Sequence, residues 1–309
     1  MKKAYRSAVT VVLICLLGIS GCGRKSDIHT DSYQYLIGVS LTNVMEPWLN
    51  NLVQVLSERQ KEDTAVNMIF RDAAGSPEKQ IQDIQSLLDN GIDLLIVSPD
   101  GSGSLDKTLE QVREKIPVVM AGVGSEKDCC TSLIQADDEK IGRLAGEYIL
   151  EHLYEEGDRI VVIEGVKGSP ISEKRHRGFL DAVKDRIPQE QIVYDYGDWL
   201  RDQAELRMKD YLVSHEPADI VFAFNDEMAY GAFLACQQYR AAEGVHLIGV
   251  DGFEGESAGL NLVDRGILDA TIQSPDFGSM AYDAALALLY GEETAHNLTI
   301  EPQLITENK

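Results

Sequence analysis

From Tyr35 onward the chain alternates short apolar runs with longer stretches of helical spacing. The runs are YLIGVSL, AVNMIF, IDLLIVS, IPVVMAG, SLIQA, RIVVIEG, QIVYDY, DIVFAF, VHLIGV and LDATIQ. They are nearly continuous in apolar residues, the pattern of parallel strands covered on both faces by crossover helices. In SPEKQIQDIQSLLDNG, Ile81, Ile84, Leu87 and Leu88 share one helical face. Ser76 offers an N-cap, Pro77 suits the first turn and Gly91 suits the stop. The pattern predicts an α/β chain of the doubly wound type. Ten strands are many for one open sheet, so two parallel-sheet lobes are expected.

In such sheets ligands bind beyond the carboxyl ends of the strands. Residue types just after each run therefore carry the candidate chemistry. Asn43, Glu46 and Trp48 follow the first run, and Asp100 follows LLIVSP. Glu173 opens the helix after RIVVIEG, and Trp199 follows QIVYDYG. Asn225 and Asp226 end IVFAF, Asp251 ends HLIGV and Gln273 ends DATI. Amides and carboxylates hydrogen-bond to hydroxyls, and an indole offers a flat apolar face to the C–H face of a sugar ring. The set suits a polyhydroxylated ligand. Taken singly, Asn225–Asp226 could cap the next helix, and either tryptophan could be core.

The first residues change the picture. MKKAYRS carries Lys2, Lys3 and Arg6, AVTVVLICLLGIS is apolar and short, and ISGC ends at Cys22. This is the layout of a secretory leader, short for a membrane span. ISGC resembles the lipobox of bacterial lipoproteins, which implies lipidation of Cys22 and a membrane anchor on the extracytoplasmic face. GRKSDIHTDSYQ then reads as a tether. The whole chain carries 28 basic and 51 acidic residues, a net charge of −23 that argues against nucleic acid. Cys129, Cys130 and Cys236 make no disulfide framework, a bridge between the adjacent pair would be strained, and no Cys/His spacing suggests zinc.

The motifs GVSLTNVMEPWL, GIDLLIVSP, IPVVM, DDEKIGRLAGEYI, RHRGFLDAV, FNDEMAYGA, IGVDGFEG and LDATIQSPDFGSMAYDAA resemble those of the type I periplasmic sugar-binding proteins, of ribose and galactose type. The resemblance covers roughly residues 35 to 307. It implies two α/β lobes joined by three hinge strands, crossing near 136–138, 270–273 and 297–302. The expected division is 1–22 leader, 23–34 tether, 35–137 with 273–296 as one lobe, and 138–272 with 297–309 as the other. It implies ligand contacts by Asn225, Asp251, Gln273, Trp199 and Trp48.

The sequence departs from the ribose type. Gly122 and Val123 stand where that type carries Asp-Arg, Glu173 aligns with an arginine, and Glu46 with an asparagine. Two cations lost and two carboxylates gained point away from ribose, toward another sugar, a polyol or an amino sugar.

The expected role is a solute-binding lipoprotein serving an ABC importer. A ligand sensor signalling to a membrane histidine kinase, or a binder of a non-sugar such as autoinducer-2, is the alternative. A LacI-type repressor shares this fold but needs an N-terminal helix-turn-helix. No G-x-S-x-G, P-loop or H-E-x-x-H occurs, so no enzyme, cofactor or metal is expected. DGSGSLDKTLE lacks the glycine and the terminal glutamate of a calcium loop. A monomer is the default.

Overall fold

The computed structural model describes residues 33–307, apart from 126, 242, 256, 257, 274 and 275. The leader, Cys22 and most of the tether lie outside the described residues. Among the described residues no helix is long and apolar enough to cross a membrane.

The strands form two six-stranded sheets. The first holds β1 (Tyr35–Leu41), β2 (Val66–Asp72), β3 (Leu94–Ser98), β4 (Val118–Ala121), β5 (Ser132–Ala136) and β11 (Asn297–Ile300), in the order β11-β5-β4-β3-β1-β2. The second holds β6 (Ile160–Glu164), β7 (Ile192–Tyr196), β8 (Ile220–Ala223), β9 (His246–Asp251), β10 (Ala270–Gln273) and β12 (Gln303–Thr306), in the order β12-β10-β9-β8-β6-β7. The expected two-lobe, doubly wound fold is the fold observed. Every pairing is parallel except the terminal β12, which runs antiparallel to β10. Each sheet reverses its strand order beside its first strand, which opens a crevice at the carboxyl ends there.

Helices α1 (Pro47–Glu62), α2 (Pro77–Asp89), α3 (Asp106–Arg113) and α9 (Phe277–Leu289) cover the first sheet. Helices α4 (Asp138–Tyr148), α5 (Pro170–Val183), α6 (Arg201–Ser214), α7 (Asp226–Gln238) and α8 (Gly259–Asp264) belong to the second. Strand alternation sets the two faces of the first sheet. Ile37, Val39, Leu41, Leu94 and Ile96 face one way, and Leu36, Leu95, Val97, Val118 and Met120 the other, all buried. Ile84 and Leu87 of α2 close that second face. The Ser76 hydroxyl accepts from the Lys79 N–H at 3.2 Å, the cap expected.

The chain crosses between the sheets after β5, after β10 and between β11 and β12. The last crossing corrects the expected division. Residues 297–300 pair with Leu133–Ala136 and so extend the first sheet, while Gln273 still belongs to the second. The switch falls at Glu301–Pro302, where proline has no N–H to give to either ladder.

Candidate functional site

The carboxyl ends of the two sheets flank a cleft open to solvent. The first sheet's side contributes Glu46, Pro47, Trp48, Gly122, Ala136 and Phe277. Asp138, Ile171, Arg175, Trp199, Asn225 and Asp251 come from the second.

One indole enters from each lobe. Trp48 sits in the first turn of α1, edge-on to Phe277 with ring centroids 5.1 Å apart. Gly122 makes room for it: at φ +94° an added Cβ would lie 2.7 Å from the Trp48 ring. Trp199 sits in the loop after β7, where Asp198 and Trp199 both adopt positive φ (51° and 65°). That conformation is costly for residues with a side chain. It is held by Asn225, whose Nδ2 donates to the Trp199 carbonyl at 3.0 Å. The same amide's Oδ1 accepts from the Met228 N–H at 2.8 Å and caps α7. Asn225 is therefore a helix cap and a lining residue together.

Its neighbours in the Asn-Asp-Glu run have other jobs. Glu227 makes a two-pronged ion pair with Arg201 at 2.5 and 2.8 Å, tying α7 to α6. Asp226 is buried and turned away from the cleft, accepting from the Gly252 N–H and the Thr271 hydroxyl, each at 2.7 Å.

Arg175 on α5 is the only cation lining the cleft among the described residues. It is buried, donates through Nε to Asp138 at 3.0 Å and through Nη1 to the Phe224 carbonyl, and lies 5.6 Å from the Trp199 ring. Asp251 ends β9 with its carboxyl facing the cleft. It is 4% exposed, and burial pushes its pKa well above the usual carboxylate range although the Arg175 charge pulls the other way. Burial also raises Glu46, to about 7. The cleft thus presents amide, guanidinium and carboxyl groups between two aromatic faces, an arrangement for binding and orienting rather than for bond making.

Of the residues expected from sequence, Glu46, Trp48, Trp199, Asn225 and Asp251 line the cleft. Four do not. Glu173 is exposed, because the face of α5 that turns inward carries Ile171 and Arg175. Asp100 is exposed and accepts from the backbone N–H and hydroxyl of Ser102, a local turn. Asn43 accepts from the Met45 N–H within its own loop. Gln273 donates to the Gly252 carbonyl at 3.2 Å. The expectation that both cations were lost is corrected with Glu173, since Arg175 supplies one. Arg175 and Asp138 were missed, although RHRGFLDAV and DDEKIGRLAGEYI contain them. The helical period could have signalled them: Arg175 shares its face with the buried Phe179 and Ser172.

The cysteines lie elsewhere. Cys129, Cys130 and Cys236 are free and buried. Among the described residues no group of three His, Cys, Asp or Glu could hold a metal.

Residues 37–293 match the family model described as a periplasmic binding protein domain. The chain belongs to this family. It is 26% identical to a ribose import binding protein of Bacillus subtilis, over 99% of this chain and all of that one. It is 27% identical to a xylitol-binding protein of Mycolicibacterium smegmatis, over 88% of this chain and 76% of that one. Among solved structures it resembles the fructose-binding periplasmic domain of a hybrid two-component system. The TM-score is 0.77 at 27% identity, covering 88% of this chain and 90% of that one. The family is one of binding proteins, not enzymes.

Proposed function

We propose that this protein is an extracytoplasmic lipoprotein that captures a sugar or polyol in the interlobe cleft and delivers it to an ABC importer. The observation that carries this reading is the pair of indoles, one from each lobe, facing a cleft whose polar groups are an amide, an arginine and carboxyls. Two aromatic planes on opposite lobes grip a ring best when the lobes close, so ligand stabilises the closed state by its differential affinity. The ribose and xylitol specificities of relatives matched over most of their length support the ligand class. Cys22, lipidated, would tether the domain to the membrane surface, where the importer lies.

The test is thermal unfolding of the chain from residue 31 onward against pentoses, hexoses, polyols, amino sugars and autoinducer-2. A ligand at about a hundred times its dissociation constant adds roughly 2.7 kcal/mol, a shift of a few degrees. A shift with one sugar or polyol class is expected; a shift with none of them, or with autoinducer-2 alone, overturns the ligand class.

A second reading keeps the ligand and changes the partner. Likeness to a periplasmic domain of a hybrid two-component system favours a sensor that reports occupancy to a membrane histidine kinase. Pull-down of the ligand-loaded lipoprotein from membranes separates the two, according to whether a permease or a kinase is retained.

A further inference from the structure

Asp251 pays for its place with backbone strain. It has φ +113°, a region that side-chain-bearing residues rarely adopt, and the next residue, Gly252, has φ +60°. Strain of this kind persists only where neighbours over-determine it. Here the neighbours are visible. The Gly252 peptide is gripped at both ends: its N–H donates to Asp226 Oδ2 at 2.7 Å, and its carbonyl accepts from Gln273 Nε2 at 3.2 Å. The other Asp226 oxygen accepts from Thr271 on β10, the strand from which the chain crosses to the first lobe.

Asp226 is built in for this purpose. It stands at the start of α7, yet Asn225 caps that helix, so the Asp226 carboxyl is free to point away. It occupies a slot floored by glycines. An added Cβ at Gly249 would lie 2.1 Å from Asp226 Oδ1, and one at Gly259 1.9 Å from Oδ2. Burial pushes its carboxyl up to about 7, and it is retained there despite that cost.

We infer that Asp226, with Gln273, is a positioning residue: it clamps the Gly252 peptide so that the strained Asp251 presents its carboxyl to the cleft, and it couples that presentation to the hinge strand through Thr271. The inference rests on the ligand-binding reading of Asp251 for its consequence, but the clamp itself is testable without ligand.

The experiment has two arms on the wild type, Asp226→Ala and the milder Thr271→Val, with Glu227→Gln, which breaks the neighbouring ion pair to Arg201, as a control. The first arm is hydrogen exchange of the Gly252 amide in the unliganded protein. Asp226→Ala removes the acceptor altogether, so the Gly252 amide should exchange at least about a hundredfold faster while β8 and β9 keep their protection. Thr271→Val leaves Gly252 bonded but loosens Asp226, and should give a smaller increase. Unchanged exchange at Gly252 in a folded Asp226→Ala variant overturns the clamp. If that variant does not fold, Thr271→Val decides by the same amide.

The second arm measures affinity for D-ribose, D-fructose and xylitol. For any of these that binds the wild type, Asp226→Ala should weaken binding about tenfold or more, and less than about twofold once Asp251 is already alanine. Equal losses in both backgrounds mean Asp226 does not act through Asp251. If none of the probes binds the wild type, the choice of ligand class fails while Gly252 exchange still decides the clamp.

Discussion

Replacing Gly142 by alanine sets two physical effects against each other with opposite signs. Gly142 lies within α4, where it faces α5 at a backbone-to-backbone crossing. A Cβ there would sit 1.9 Å from the Arg175 carbonyl oxygen. The crossing is reciprocal, since a Cβ at Gly178 would sit 1.9 Å from the Glu139 carbonyl. Helix propensity alone predicts that alanine gains about 1 kcal/mol. Packing predicts the reverse. Contacts under 3.0 Å essentially never occur at real Cβ atoms, so going from 1.9 to 3.0 Å requires the helices to part by at least about 1.1 Å. Overpacking of that size costs about 1 to 3 kcal/mol. The same displacement stretches the buried Arg175–Asp138 hydrogen bond from 3.0 Å past bonding range, adding about 1 to 3 kcal/mol. The net loss is then roughly 1 to 5 kcal/mol after the propensity gain, or about 2 to 10 °C for a chain of this size. Calorimetric or fluorescence-monitored unfolding reads it directly. A variant more stable than the wild type would show that α4 and α5 are not in backbone contact, and would refute the placement of Arg175 that follows from it.

Other consequences are as definite. Trp199→Ala and Trp48→Ala should each weaken sugar binding by about 1 to 3 kcal/mol in titration calorimetry with little change in circular dichroism, because both rings are only partly buried. Gly101→Val should cost at least about 1 to 3 kcal/mol in unfolding, because Gly101 has φ +79° and a Cβ there would lie 2.6 Å from Val123 and 3.0 Å from Pro170. Stability should fall as pH rises from about 4 to 7. Burial raises Glu46 from 4.5 and Asp226 from 3.8, each to about 7. Their protonated forms are therefore favoured on folding, a contribution complete below the ordinary values and lost through about 7. Glu46→Gln should flatten that slope in chemical denaturation, and an unchanged slope would remove Glu46 as a source. Ser76→Ala should cost about 1 kcal/mol in unfolding, the loss of one helix cap.

Much of the site was legible because an open parallel sheet puts its ligand at strand ends, and strand ends can be read from where apolar runs stop. Trp48, Trp199, Asn225 and Asp251 were found in this way. The failures share one cause. Glu173 and Arg175 are two residues apart on α5, about 200° around the helix, so only the packed face decides which enters the cleft. Asp100 ends a strand, but its side chain closes a turn on Ser102. Gln273 ends a hinge strand, but its amide donates to the Gly252 carbonyl. The division at 297 failed because Asn297–Ile300 and Gln303–Thr306 carry equally plain strand patterns, and pairing partners are set by the chain far away in sequence.

Composition and periodicity by themselves determined the class, the two sheets and the candidate polar groups, because hydrophobic burial follows local pattern. Only the tertiary structure decided that Asn-Asp-Glu in FNDEMA is three devices: a cap that lines the cleft, a clamp beneath Asp251, and an ion pair to Arg201. Adjacent side chains on a helix start point in different directions, and what each meets is supplied by strands and helices distant in the chain.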